Sequence, residues 1–189
     1  MNAGRLLLHV CCAPDATVPW PVLLDEGYDV TGFFYGNNIH PEDEWRSRRD
    51  ACTRLAAVLE EALVVLPYEP DAWFDGLEGL EDEPEGGARC ALCFEKQLSS
   101  AAKYAREHGF ASFCTTLTIS PHKDVALIDG IGRKIGGESG IEWLSRVWRK
   151  NGGFGISVQR SRDLGLYRQS YCGCSYSVLR KGGGNSVRS

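Results

Sequence analysis

The alternation of apolar and polar residues along the chain predicts short buried strands separated by amphipathic helices. Arg5–Val10 is a largely apolar run of strand length, and helix-like spacing follows at Thr17–Glu26, beyond Pro14, which prevents a helix from running straight through. The further predicted strands are Asp29–Tyr35, Ala62–Leu66, Ser112–Thr115 and Glu142–Trp148, and the further predicted helices are Glu42–Leu59, Ala91–Glu107, His122–Ile135 and Arg160–Tyr167. This βαβαβ opening predicts a parallel sheet with right-handed crossovers.

The remaining segments predict loops and a tail around one domain. Glu69–Glu85 holds eight carboxylates and no basic residue, which together with its glycines predicts a loosely ordered loop around a short helix. Residues 1–181 are expected to form a single α/β domain, and 182–189 a disordered tail. The apolar runs are far shorter than a membrane span, and the sequence shows no secretory signal, so a cytoplasmic location without a membrane partner is expected.

The charge is distributed unevenly along the chain. Residues 1–120 carry 9 Lys and Arg against 20 Asp and Glu, a balance of −11, whereas residues 121–189 carry 12 against 5, a balance of +7. One interpretation is an ordinary solvated surface. The other is a basic face for a polyanionic partner, because clustered Lys and Arg bind phosphates.

Eight cysteines in a chain without a secretory signal indicate metal or redox chemistry rather than structural disulfides. Six of them fall in three close groups, which are Cys11 with Cys12, Cys90 with Cys93, and Cys172 with Cys174. Cys52 lies in a predicted helix and Cys114 in a predicted strand, so both are expected to be buried small apolar residues.

The first two cysteine groups together offer four thiolates, a complete set for zinc or for a [4Fe–4S] cluster. Cys11 and Cys12 directly follow the first strand, where ligands collect in open α/β sheets. Cys90 and Cys93 have the spacing of a two-thiolate clip at a predicted helix start, where the helix dipole favours thiolates. The spacing alone does not choose between the two metals.

The third cysteine group and a nearby carboxylate are candidates for redox and proton chemistry. Cys172 and Cys174 flank Gly173, whose flexibility allows a small, strained and easily reduced disulfide ring. The alternative is a pair of extra ligands or buried thiols. Asp15 is interpreted either as the N-cap of the following helix or as a metal ligand or proton donor beside the thiolates.

Other polar residues near strand ends have weaker signals. His9 is expected to pack within its strand, and His40 follows the second strand on a loop from which it could contact a substrate. The hydroxyl-rich segment 115–122 and Lys123 suit either an anion site or the cap of the next helix.

Five segments of the chain form an ordered set of motifs: Leu7–Asp15, Tyr35–Pro41, Arg89–Phe94, Phe113–Lys123 and Tyr167–Ser177. Taken in this order, they resemble the QueH-type epoxyqueuosine reductases over Leu6 to Arg180. The resemblance implies a Rossmann-like α/β fold of the adenine-nucleotide-hydrolase (HUP) type, with a C-terminal segment folded over the strand ends. Gln97-Leu98 and Trp148-Arg149-Lys150 depart from the family pattern, and their position outside the cysteine groups leaves the expected chemistry intact.

The resemblance also implies the cofactor and the reaction. It implies a [4Fe–4S] cluster on Cys11, Cys12, Cys90 and Cys93, and a redox-active Cys172–Cys174 pair. The reaction would remove the epoxide oxygen from epoxyqueuosine at the wobble position of tRNA with two electrons and two protons. Asp15 would be the proton donor or hold an additional iron.

The implied partners are tRNA with a queuosine-type anticodon and an unidentified electron donor. Two other functions remain open from the residues alone: a zinc-stabilised nucleic-acid-binding module, and a tRNA sulfur-transfer enzyme. The sequence contains no GxxxxGK[ST] phosphate loop, which argues against the second.

Overall fold

A five-stranded parallel sheet forms the centre of the protein in the computed structural model, which describes residues 3–177. The strands are β1 (Arg5–His9), β2 (Asp29–Phe34), β3 (Leu63–Val65), β4 (Ser112–Thr115) and β5 (Glu142–Trp143), in the order β3-β2-β1-β4-β5. The predicted parallel sheet is confirmed, although β5 ends at Trp143 rather than at Trp148. Beyond Trp143 the chain leaves the sheet as irregular backbone.

Helices cover both faces of the sheet. They are α1 (Ala13–Ala16), α2 (Pro19–Asp25), α3 (Glu42–Leu59), α4 (Asp71–Phe74), α5 (Ala88–Glu107), α6 (Val125–Ser139) and α7 (Gly153–Asp163). Successive leucines of β1 point to opposite faces, as the pleat of a strand requires. Leu6 and Leu8 pack into one core with Trp20 and Leu55, whereas Leu7 packs into the other core with residues of α5 and α6.

Several helices differ from their predicted bounds. The short helix α1 precedes the predicted Thr17–Glu26, and Pro14 fits its first turn because the missing N–H has no intrahelical partner to lose. Helix α6 continues past Gly136 and ends at Ser139, and Gly140, with a left-handed φ of 68°, forms its C-cap. Helix α7 starts at Gly153, well before the predicted Arg160.

The glycines inside α6 have a packing reason. A Cβ at Gly132 would lie 2.3 Å from the indole of Trp143, and one at Gly136 would lie 2.8 Å from the carbonyl oxygen of Ile141. These two glycines therefore let α6 lie directly on β5. They do not interrupt the helix, which therefore continues beyond its predicted end at Ile135.

The strand order reverses between β1 and β4, and this switch point determines where ligands can enter. From β1 the chain continues to β2 and β3 on one side of β1. It then crosses over, so that β4 pairs with the other side of β1. In open α/β sheets, ligands bind at the carboxyl ends of the strands at such a point. Within residues 3–177, no helix has both the length and the apolar composition needed to cross a lipid bilayer. The tail predicted at 182–189 lies outside the described residues.

Candidate metal and redox centre

Six cysteines from three distant segments of the chain line one cavity at the carboxyl end of the sheet. They are Cys11, Cys12, Cys90, Cys93, Cys172 and Cys174, and all six are free thiols. Cys52 and Cys114 are fully buried elsewhere in the core, as predicted. The fold therefore brings together the three groups that the sequence singled out.

Cys11, Cys12 and Asp15 form a compact group of ligand atoms where β1 ends. The backbone turns into α1 here, so that the two sulfurs lie 4.0 Å apart and do not alternate across the sheet. The Cys11 Sγ lies 3.3 Å from the Asp15 Oδ2, and the ligand atoms of all three residues lie within 4.8 Å of one another. The N-cap of α1 is Cys12, so the interpretation of Asp15 as a helix cap is wrong.

Cys90 and Cys93 lie in the first turns of α5, because this helix begins at Ala88 and not at the predicted Ala91. Nitrogen donors face both sulfurs. The Gly86 N–H donates to Cys90 at 3.2 Å, the Trp73 indole N–H donates to Cys93 at 3.3 Å, and the Gln97 amide donates to Cys93 at 3.1 Å. Donors aimed at sulfur suit thiolates, which are acceptors, and such partners orient metal ligands.

Burial is the main influence on the pKa of two thiols of the cavity. It raises the pKa of Cys93 to about 12, and it also raises the pKa of Cys12. For Cys93 this effect of burial opposes the lowering of the thiol pKa that a helix start favours. A bound cation would supply the compensating charge and displace the protons, so the donor set fits a metal centre held by thiolates.

The segment that carries Cys172 and Cys174 folds back over the strand ends and is held there by α3 and the loop after β2. Buried Arg48 donates to the carbonyls of Tyr171 and Cys172, at 3.1 and 2.9 Å, and the His40 N–H donates to the Gly173 carbonyl at 2.8 Å. The predicted C-terminal cover is thus present. Sequence reasoning missed this role of Arg48, because the two carbonyls that it binds lie more than 120 residues away along the chain.

Gln169 joins this segment to the first cysteine group. Its Nε2 donates to the Cys12 Sγ at 2.9 Å, while its Oε1 is buried without a hydrogen-bond partner among residues 3–177. Sequence reasoning did not select Gln169. It lies three positions before Cys172, and that proximity was the available signal.

Two departures from the family pattern have specific contacts. Gln97 donates to the Cys93 sulfur, so its expected position outside the cysteine chemistry is wrong. The buried Trp148 indole donates to the Thr115 carbonyl, and Arg149 donates to the carbonyls of Ser120, Pro121 and Lys123. Trp148 and Arg149 therefore brace the loop after β4, and Arg149 has these carbonyls as its partners.

The two candidate histidines have structural contacts. His9 is fully buried and bonded to the Thr115 hydroxyl at 2.8 Å, and burial lowers its pKa to about 3, so it is neutral near pH 7. His40 is buried too, and its Nδ1 accepts from the Ser175 N–H at 3.3 Å. The structure therefore uses His40 to hold the segment of Cys174.

Lys123 brings a positive charge to the cysteine cavity, which Arg48 and Arg89 also line. The loop after β4 carries it to the cysteine cavity, and the N-cap of α6 is Asp124, so capping by the preceding hydroxyls is wrong. Burial alone would lower the pKa of Lys123, but the nearby thiols and Asp15 raise it overall. Lys123 is therefore charged at neutral pH, beside the candidate ligands.

Comparison with known proteins finds one family along nearly the whole chain. The family model described as Epoxyqueuosine reductase QueH matches residues 6–180. A relative from Acinetobacter baylyi with that name is 39% identical over 178 residues, which cover 94% of this chain and 82% of the relative. One from Thermotoga maritima with the same name is 35% identical over 181 residues, which cover 94% of this chain and 92% of the relative.

Solved structures show the same fold at low identity. The U34-tRNA thiolase NcsA from Methanococcus maripaludis, solved with its [4Fe–4S] cluster, aligns with a TM-score of 0.58 at 11% identity, covering 94% of this chain and 62% of NcsA. A predicted tRNA methyltransferase subunit from Methanocaldococcus jannaschii aligns with a TM-score of 0.57 at 9% identity, covering 84% of this chain and 74% of that protein. These similarities confirm the Rossmann-like α/β fold. The family match over nearly the whole chain and the curated relatives at 35% identity or more show that this protein belongs to the epoxyqueuosine reductase QueH family.

Proposed function

We propose that this protein reduces epoxyqueuosine to queuosine at the wobble position of tRNA, with electrons that pass through an iron–sulfur centre and a cysteine pair. The observation that carries the proposal is the convergence of six cysteines on one cavity at the switch point of the sheet. Cys11, Cys12, Cys90 and Cys93 would hold a [4Fe–4S] cluster, which supplies electrons one at a time when bound. The ligand atoms of Asp15 lie within 4.8 Å of those of Cys11 and Cys12, so Asp15 would be able to hold an additional iron beside the cluster.

The Cys172–Cys174 pair matches the stoichiometry of the reaction. Removing the epoxide oxygen breaks two C–O bonds, forms an alkene and releases water, which consumes two electrons and two protons. Oxidation of two thiols to one disulfide releases two electrons and two protons. Both thiols line the cavity of the other four cysteines, and Cys172 is exposed, so an external thiol or protein reductant could restore the pair.

Asp15 would protonate the departing oxygen, and Lys123 would stabilise the negative charge that develops on it. Asp15 is buried beside Cys11 and lines the cavity that adjoins the cysteines, and it would donate a proton to that oxygen. Lys123 places a fixed positive charge next to the same position, which stabilises a developing oxyanion. Neutral His9 cannot take this role, because it is fully buried and bonded to Thr115.

A tRNA substrate accounts for the position of the centre in a concave site. A base inside an anticodon loop must leave its stack to reach a buried reactive group, and enzymes that modify bases extrude them in this way. The basic balance of residues 121–189 would hold the phosphate backbone.

The test starts with the metal. Protein purified without oxygen should be brown and contain iron, and Cys90→Ala should lose both, whereas Cys52→Ala, which removes a buried thiol outside the cavity, should keep both. Full iron content in Cys90→Ala would contradict the ligand assignment. A colourless protein with zinc would instead favour the nucleic-acid-binding module.

The second arm of the test addresses the cysteine pair. Cys172→Ser and Cys174→Ser should keep iron and tRNA binding and should lose repeated turnover. Thiols are counted before and after one turnover without added reductant, and two thiols should disappear for each product formed. A pair that stays reduced while product forms in equal amount would show that the electrons come from elsewhere.

A further inference from the structure

A second and larger cavity lies directly beside the cysteine cavity. It has a volume of about 660 Å³ and is bounded by the loop at 120–123, by α7 and by the segment at 168–172. This volume is in the range of pockets that hold small ligands. Lys123, Gln169 and Cys172 line both cavities, so a group bound in the larger one borders the candidate redox centre.

We propose that this cleft seats the extruded nucleoside of the substrate, with its base stacked on Phe154 and its modified end directed past Gln169 towards the cysteines. The proposal rests on the proposed function and assigns a subsite and a specificity residue to it. It makes Phe154, which lines the cleft, a residue that contacts substrate.

Phe154 has the properties of a stacking platform. It lies in the first turn of α7, lines the cleft and is 37% exposed. Among the residues described, its ring contacts no other aromatic ring and no cation, unlike Tyr171, the other aromatic residue of the cleft, which lies under the guanidinium of Arg48. An apolar ring exposed to water costs hydration free energy, and a base that stacks on it removes that cost.

The charges of the cleft fit a neutral base and sugar better than a phosphate. Lys123 and Arg168 line it together with two carboxylates, Asp15 and Glu85, so the opposite charges balance. The Arg168 Nη1 already donates to the Val158 carbonyl at 3.0 Å. A free phosphate would lie beside these two acidic side chains, whereas the base and sugar of a nucleoside bring no negative charge near them.

Gln169 supplies the polar recognition that a nucleoside requires. Its Nε2 is fixed by the bond to Cys12, which aims the amide, and its Oε1 is a buried acceptor with no partner among residues 3–177. A buried acceptor without a donor is costly, and a hydroxyl or N–H of the substrate would satisfy it. Because Gln169 lines both cavities, it would fix the substrate where the nucleoside meets the redox centre.

The experiment measures binding separately from turnover. The iron-loaded wild-type protein and the variants are titrated with a fluorescently labelled anticodon stem–loop that carries epoxyqueuosine, and Kd is read from anisotropy. Phe154→Ala should weaken binding roughly tenfold, within the range for one stacked base, and Phe154→Trp should bind like the wild type. Ile156→Ala is the matched control, because Ile156 is an exposed apolar residue of the same helix, 45% exposed, that does not line the cleft.

Each outcome decides the proposal. Weaker binding by Phe154→Ala with unchanged iron content, and normal binding by the other two variants, supports it. Normal binding by Phe154→Ala, or equal weakening by Ile156→Ala, overturns it. Turnover by the wild type together with normal binding by Phe154→Ala would leave the reductase function standing without this subsite. Wild-type binding that depends on Phe154 without any turnover would reject the reductase function and keep the nucleoside cleft.

Discussion

Arg48 is predicted to hold the Cys172–Cys174 segment over the centre, and its replacement should release that segment without unfolding the protein. Its side chain is 2% exposed and makes three bonds: to the Glu44 carboxylate at 2.8 Å and to the carbonyls of Tyr171 and Cys172. Arg48→Met keeps the apolar stem and removes all three. Arg48→Lys keeps a positive charge beside Glu44, but its single ammonium group cannot replace the two guanidinium nitrogens that bind two carbonyls.

The magnitude follows from the two carbonyl bonds. A hydrogen bond to a charged group contributes about 1.5–3 kcal/mol, and the lower end applies here because water can replace the donor at an exposed segment. Two such bonds give roughly 3 kcal/mol, which corresponds to about a hundredfold larger population of the open segment. Iron content should not change, since Arg48 touches no sulfur of the four proposed ligands.

The assay is amide hydrogen exchange at His40, whose N–H donates to the Gly173 carbonyl and thus reports whether the segment is docked. Exchange at His40 should accelerate strongly in Arg48→Met and less in Arg48→Lys, while the amide of Leu7 in the central strand stays protected. Equal acceleration at Leu7 would mean global destabilisation. Unchanged protection of His40 in Arg48→Met would refute the reasoning.

Three further predictions concern chemistry, partner and packing. Asp15→Asn, which keeps an acceptor for the Cys11 thiol but loses acidity, should remain stable and iron-loaded with little turnover; near-normal activity would exclude Asp15 as the proton donor. Lys150 and Arg162 are exposed, and their side chains have no hydrogen bond or ion pair within residues 3–177. Replacing both with Gln should reduce the steepness of the plot of log tRNA-binding constant against log salt concentration by about 2, without loss of iron. An unchanged slope would mean that the phosphates bind elsewhere. Gly132→Ala should lower the free energy of unfolding, measured by chemical denaturation, by about 1–3 kcal/mol, because the new methyl group overpacks against the indole of Trp143. Gly137→Ala, whose methyl group would meet no atom within 4 Å, should raise the free energy of unfolding by about 0.4–1 kcal/mol. Equal effects of the two substitutions would contradict the packing argument.

The sequence by itself determined the elements and the chemical inventory. The apolar runs of β1 to β4 and the amphipathic spacing of α3 and α5 are local signals, so their positions could be read within a few residues. A cysteine pair directly after a strand of a parallel sheet must lie near its carboxyl edge, because topology alone puts it there. The grouping of Cys11 with Cys12 therefore predicted the place of the centre.

The tertiary structure decided which side chains support that centre. Trp73, Gln97 and Gln169 donate to sulfurs, and Arg48 holds the C-terminal segment, yet none of these contacts has a local pattern. Asp15 looked like a helix cap because Asp before a helical pattern usually caps, and only the backbone turn at Cys12 excluded that role. Hydrogen bonds between distant segments depend on how the helices pack on the sheet, and periodicity along the chain carries no information about that packing.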